Sequence, residues 1–136
     1  MNAGEVDLLL ILGGNPVFDA PADLEFMAAM NNVPNRVHLG LYRDETAEFC
    51  HWHLPQAHEL ESWADARTFD GSVCFSQPLI EPLYNGKTAL EVLSFYVDDV
   101  PKTGLELLQA HWRQTRPSET FETTWREWLH DGFLPG

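Results

Sequence analysis

The stretch Val6 to Pro16, VDLLLILGGNP, constrains this chain more than any other. Val6, Leu8, Leu9, Leu10, Ile11 and Leu12 make a nearly unbroken apolar run, too continuous for one face of an exposed strand and far too short to span a bilayer. The run predicts a central strand buried on both faces. Gly13 and Gly14 end it with residues that tolerate positive φ and let another backbone or a phosphate come close, and Asn15 and Pro16 turn the chain. A helix is expected next. Strand, glycine turn and helix open an α/β unit, and in open parallel sheets ligands sit at the carboxyl ends of such strands.

The expected helix carries Pro21 in its first turn, Asp23 and Glu25 at the positive end of its dipole, and Phe26, Ala29, Met30 and Val33 at helical spacing. Asn31, Asn32 and Pro34 stop it. Arg36 to Tyr42 alternates, with Val37, Leu39 and Leu41 on one face and His38, Gly40 and Tyr42 on the other, which predicts a second strand. Arg43, Asp44, Glu45 and Thr46 then form a polar break, expected on the same edge of a parallel sheet as the GGNP turn. Phe49 to Leu54 reads as a third strand, His58 to Trp63 as a brief helix, Asp65 to Gly71 as turn, and Ser72 to Gln77 as a fourth strand. Two capping boxes follow, Thr88 with Glu91 and Thr103 with Glu106, ahead of helices carrying Leu90, Leu93 and Val97, then Leu105, Leu108 and Trp112. A last helix begins near Ser118, its buried stripe marked by Phe121, Trp125 and Trp128. The expected fold is α/β: an open, mainly parallel, Rossmann-like sheet of about four strands flanked by helices, with a helical C-terminal part.

At 136 residues the chain fits one domain with a real core. No terminal cap is apparent at Phe133 to Gly136, and the expectation is a single α/β domain, residues 1–136, cut from a longer chain. Eight basic against 21 acidic residues give a formal charge of −13, which argues against nucleic acid and anionic membrane surfaces as partners. Cys50 and Cys74 form no CxxC pair, so a cysteine-framed zinc or iron–sulfur site is not expected, and two free thiols are the simpler reading. MNAGEV has neither the basic nor the apolar region of a signal peptide.

The turn Gly13, Gly14, Asn15, Pro16 could cradle a phosphate, but GxGxxG and a P-loop lysine are both absent. Three imidazoles would suffice for zinc, and His51 and His53 are expected on one strand face with His58 shortly after. No HExxH accompanies them, and Trp52, Leu54 and Pro55 give the stretch a packing character, so hydrogen-bonded histidines are expected rather than a metal. Glu59, Glu61, Asp65 and Arg67 read as a solvated charged face, and Ser62, Ser72, Ser76 and Ser94 lack a GxSxG elbow. No catalytic residue is indicated.

Several stretches together resemble one family. LLILGGNPVFDAPADLEF is similar to the strand and GxNP turn beside the pterin dinucleotide in molybdopterin oxidoreductases of the dimethyl-sulfoxide-reductase type. RDETAEFCHWHLPQAHELESW resembles their later segment, with Thr46, Leu54, Pro55 and Glu61 in matching places and Trp52 and His53 where the family carries alanine-aspartate. CHWHLP with HELESWAD, then DGSVCFSQPLIEPLYNGKTALEVL, is most similar to the Tat-variant-translocated, molybdopterin-oxidoreductase-like iron–sulfur subunit of quinol:cytochrome c oxidoreductase (alternative complex III). The resemblance runs from about Val6 to WREWLHDGF. It implies an internal domain of an electron-transfer subunit at the periplasmic face of the cytoplasmic membrane, partnered by other domains and subunits, with iron–sulfur clusters elsewhere in the parent chain. It implies a scaffold role without catalysis of its own. The alternative implied is a domain binding molybdopterin guanine dinucleotide in an active molybdenum enzyme, and a small histidine-dependent metalloenzyme is a third reading. By residue-to-residue correspondence, Gly13, Gly14, Asn15, Pro16, Asp44 and Thr46 would line a cofactor groove, even if only a vestigial one.

Overall fold

The computed structural model describes residues 1–136, and its backbone contacts divide the chain into two compact units. The first comprises Met1–Gln56 with Tyr84–Ala89, the second Ala57–Leu83 with Leu90–Gly136.

In the first unit, β1 (Leu8–Leu12), β2 (Asn35–Gly40) and β3 (Trp52–Pro55) form a parallel sheet in the order β1-β2-β3. Leu8 pairs with Asn35 and Leu12 with Leu39, while Val37 pairs with Trp52 and Gly40 with Pro55. The strand buried on both faces is therefore β2, where Val37, His38, Leu39 and Gly40 are all buried. The expectation for the Val6 run needs correction. β1 is an edge strand, and Leu8 and Leu12 are 44% and 38% exposed. An apolar run specifies a strand that can be covered on both faces, whereas its position in the sheet depends on which other strands pair with it.

The single helix expected after the glycine turn is three short pieces. α1 (Pro16–Asp19) starts with proline at its first position, where the missing N–H costs nothing. It ends after one turn because Pro21 drives Ala20 into extended geometry, ψ 142°. A 3-10 turn, Ala22–Leu24, leads to Glu25 in the left-handed region, φ 44°, and only then does α2 (Phe26–Asn31) begin. Ala29, Met30 and Val33 are buried as expected. A further helix, α3 (Glu45–Phe49), occupies part of the expected polar break and the start of the expected third strand. Asp44 initiates it, its Oδ1 accepting from Ala47 N at 3.0 Å, so Phe49 is helical and β3 begins only at Trp52.

In the second unit, β4 (Ala64–Arg67), β5 (Val73–Ser76) and β6 (Phe133–Leu134) form an antiparallel sheet in the order β4-β5-β6. The expected fourth parallel strand is thus β5, in a different sheet and running antiparallel to its neighbours. The first three residues of the expected turn from Asp65 to Gly71 belong to strand β4, and the turn proper is Thr68 to Gly71, with Gly71 at φ 91°. Helices α4 (Ala89–Asp98), α5 (Gly104–Thr115) and α6 (Phe121–Asp131) complete the unit. The capping box of α5 forms as its sequence predicts: Glu106 N donates to Thr103 Oγ1, and Thr103 N donates to Glu106 Oε2 at 2.8 Å.

The core of this unit is Val73, Leu108, Trp112, Phe121 and Trp125, with Trp63, Phe75 and Trp128 packed against it. The Phe75 ring lies edge-on to Trp112 and Trp125, at 5.6 and 5.3 Å, and stacks on Trp128 at 6.2 Å. Each such pair adds about 0.5–1.5 kcal/mol beyond area burial. Trp112 satisfies its one polar atom by donating from Nε1 to Asp65 Oδ2 at 2.8 Å. The architecture is α/β, with two small sheets, flanking helices and a helical C-terminal segment. No helix is long and apolar enough to cross a membrane.

Candidate functional site

β1 and β2 run in the same direction, so the segments leaving their carboxyl ends emerge on one rim. That rim carries Gly13, Gly14, Asn15 and Pro16 from one strand and Asp44 and Thr46 from the other. The two groups are joined directly. Asn15 Oδ1 accepts from the Thr46 hydroxyl at 2.8 Å and from Thr46 N at 3.2 Å, while Thr46 Oγ1 accepts from Val17 N at 3.0 Å. Val17 N is an otherwise orphaned donor in the first turn of α1, and Thr46 N is one in the first turn of α3. Each turn therefore caps the helix that follows the other. Asn15 Nδ2 also donates to Glu45 Oε2 at 2.7 Å, and this hydrogen bond holds the exposed Glu45 carboxyl below its ordinary range. Thr46 is fully buried within the clasp.

Beneath the clasp lies His38, a residue that the sequence placed on a strand face without marking it as part of a site. It is fully buried, with Nε2 3.2 Å from the Gly14 carbonyl oxygen and Nδ1 3.2 Å from His53 Nδ1. A carbonyl can only accept, so His38 donates from Nε2–H to Gly14 O, and its Nδ1 shares a second hydrogen bond with His53 Nδ1. Asp44 Oδ1 stands 3.8 Å from His38 Nδ1. Burial, and then the neighbouring His38, push the His53 pKa below the ordinary histidine value. Room for the buried ring is made by Gly40, where a Cβ would stand 2.6 Å from His38 Cε1. The sequence signal for this arrangement is the spacing His38-x-Gly40, which puts ring and missing side chain on one face of β2.

A cleft of about 250 Å³ opens at the same rim, reached by Gly14, Asn15, His38, Gly40, Asp44 and Gln56 among others. Gly13 and Gly14 take φ 78° and 74°, the left-handed geometry that favours glycine, and Gly14 faces open space. A pterin dinucleotide at this rim would meet side chains that are already engaged. The side-chain groups that would hold it, on Asn15 and Thr46, are hydrogen-bonded to each other, and no buried side-chain polar atom is left without a partner. Asp44 and Glu45 add negative charge to the rim, and the cleft is smaller than the roughly 300–1,000 Å³ that drug-sized ligands occupy.

The three histidines considered for zinc take separate partners. His51 precedes β3, its Nδ1 accepting from Arg36 N at 3.1 Å, and His53 pairs with His38. His58 belongs to the second unit, where its Nδ1 accepts from Leu60 N at 3.2 Å to cap the 3-10 turn Glu59–Glu61. No group of three histidine, cysteine or acidic side chains is placed to hold a metal ion. Cys50 and Cys74 are free thiols, the first half-buried with its pKa raised by burial. The tryptophans of α5 and α6 lie in the core of their unit, as the stripe predicts. No family model matches the sequence, and no curated protein matches it.

Proposed function

We propose that this chain is a scaffold domain without catalysis of its own, belonging to a molybdopterin-oxidoreductase-like subunit of a membrane-associated quinol:cytochrome c oxidoreductase complex. In this reading the parent subunit is exported to the periplasmic face of the cytoplasmic membrane, and its iron–sulfur clusters lie in other parts of its chain. The observation that carries the scaffold role is the reciprocal clasp: Thr46 and Asn15 use on one another the groups that a cofactor-binding domain would offer to its ligand. A rim closed in this way holds α1 and α3 in place and leaves the surface of the domain for neighbours.

The test is a titration of isotopically labelled protein with guanosine diphosphate, followed through the amides of Gly13, Gly14, Asn15 and Thr46. The scaffold reading predicts no saturable shift at these positions. Saturable micromolar binding localised there would overturn it in favour of a domain that binds molybdopterin guanine dinucleotide.

A further inference from the structure

Helix α4 presents to solvent the stripe that its sequence marks for burial. Leu90, Leu93 and Val97 repeat at i, i+3 and i+7, yet the residues that α4 buries are Val92 and Ser94. Leu90 and Leu93 are half-exposed and Val97 is 83% exposed, as are Phe95 and Tyr96 in large part. A helix apolar around most of its circumference is expected inside a larger assembly, and contiguous exposed apolar surface of this kind marks an interaction site. The charges at its end point to what kind of surface covers it. Asp98 closes α4 and Asp99 follows it, at the negative end of the helix dipole, and the last turn holds no basic residue. Lys102 pairs with Asp98, but none of the ion pairs reaches Asp99, whose backbone is held left-handed at φ 52°.

We propose that α4 docks an amphipathic helix of another polypeptide, with its apolar stripe against Leu90, Leu93 and Val97 and its lysine or arginine side chains against Asp98 and Asp99. A second copy of this chain is the wrong occupant, because it would bring another acidic helix end and another formal charge of −13. An anionic lipid surface is disfavoured by the same repulsion. This surface is independent of the scaffold reading: nucleotide binding at the Gly14 and Thr46 rim would refute that reading and leave this one standing.

The experiment titrates labelled protein with a synthetic helical peptide that has leucines at i, i+3 and i+7 and lysines elsewhere, beside a control with glutamate for lysine. Expected are saturable shifts confined to α4 and its C-terminal turn, at least about tenfold weaker binding in Leu93→Glu/Val97→Glu, and about threefold weaker, less salt-sensitive binding in Asp98→Asn/Asp99→Asn. These positions are exposed, so the variants should keep the wild-type circular dichroism and melting temperature. Absent binding, shifts spread over the acidic surface, equal affinity for the glutamate control, or unchanged affinity in Leu93→Glu/Val97→Glu would each overturn the proposal. So would a dimer in sedimentation equilibrium that Val97→Glu dissolves, since it would assign the surface to a second copy.

Discussion

Thr46 shows how one small side chain can close a sheet edge. Its hydroxyl donates to Asn15 and accepts from Val17 N, so valine, nearly the same shape, removes both bonds and leaves a helix N–H without its acceptor. Thr46→Val should destabilise the protein by about 1–3 kcal/mol in urea denaturation, and Thr46→Ser by much less. Gly40 is constrained by its neighbour: a Cβ would collide with an imidazole that is buried and hydrogen-bonded at both nitrogens. Gly40→Ala should therefore cost about 1–3 kcal/mol, whereas Gly14→Ala meets open space and costs only backbone strain. His53 links stability to pH. Its folded pKa lies below the unfolded value of about 6.5, so the stabilisation is fully present above that pH and is lost as pH falls toward the folded pKa. Melting temperature should drop on acidification below about pH 6.5, and less steeply in His53→Asn, whose amide can still donate to His38. An unchanged pH profile in that variant would contradict a lowered His53 pKa in the folded protein.

At the scale of elements, what was legible in the sequence is what is decided locally. The α5 capping box depends on Thr103 and Glu106 alone and forms as read, and Thr103→Ala should cost about 1 kcal/mol. The aromatic stripe of α6 likewise reports its buried face directly. Shared placement of Asn15 and Thr46 was legible too, because parallel strands deliver their carboxyl ends to one edge whatever lies between them. Features set by distant neighbours were not legible. The run Ser72 to Gln77 reads as a strand, but nothing in it shows that β5 pairs antiparallel with β4 and with the two-residue β6. The apolar content of β1 does not reveal that it takes an edge. Asp44 as the cap of α3 was hidden by the aromatic residues just after it, and the burial of His38 depends on Gly14 and His53, residues from two other segments.

On the scale of the whole molecule, two different devices organise the two units. The second unit is held by an aromatic cluster, with its few buried polar groups matched pairwise, as in Trp112 with Asp65. The first is a small parallel sheet whose helices are tied at the rim by crossed side-chain caps. A formal charge of −13 surrounds both, so steering toward basic partners is expected and should weaken with salt. Closure of the rim by its own side chains underlies the scaffold role, and a double-mutant cycle on Asn15→Ala and Thr46→Val measures that closure. We predict that the two substitutions are coupled by about 1–3 kcal/mol, the double variant losing far less stability than the two single losses added together. Additive losses, with coupling near zero, would contradict the clasp and leave both side chains available to a ligand.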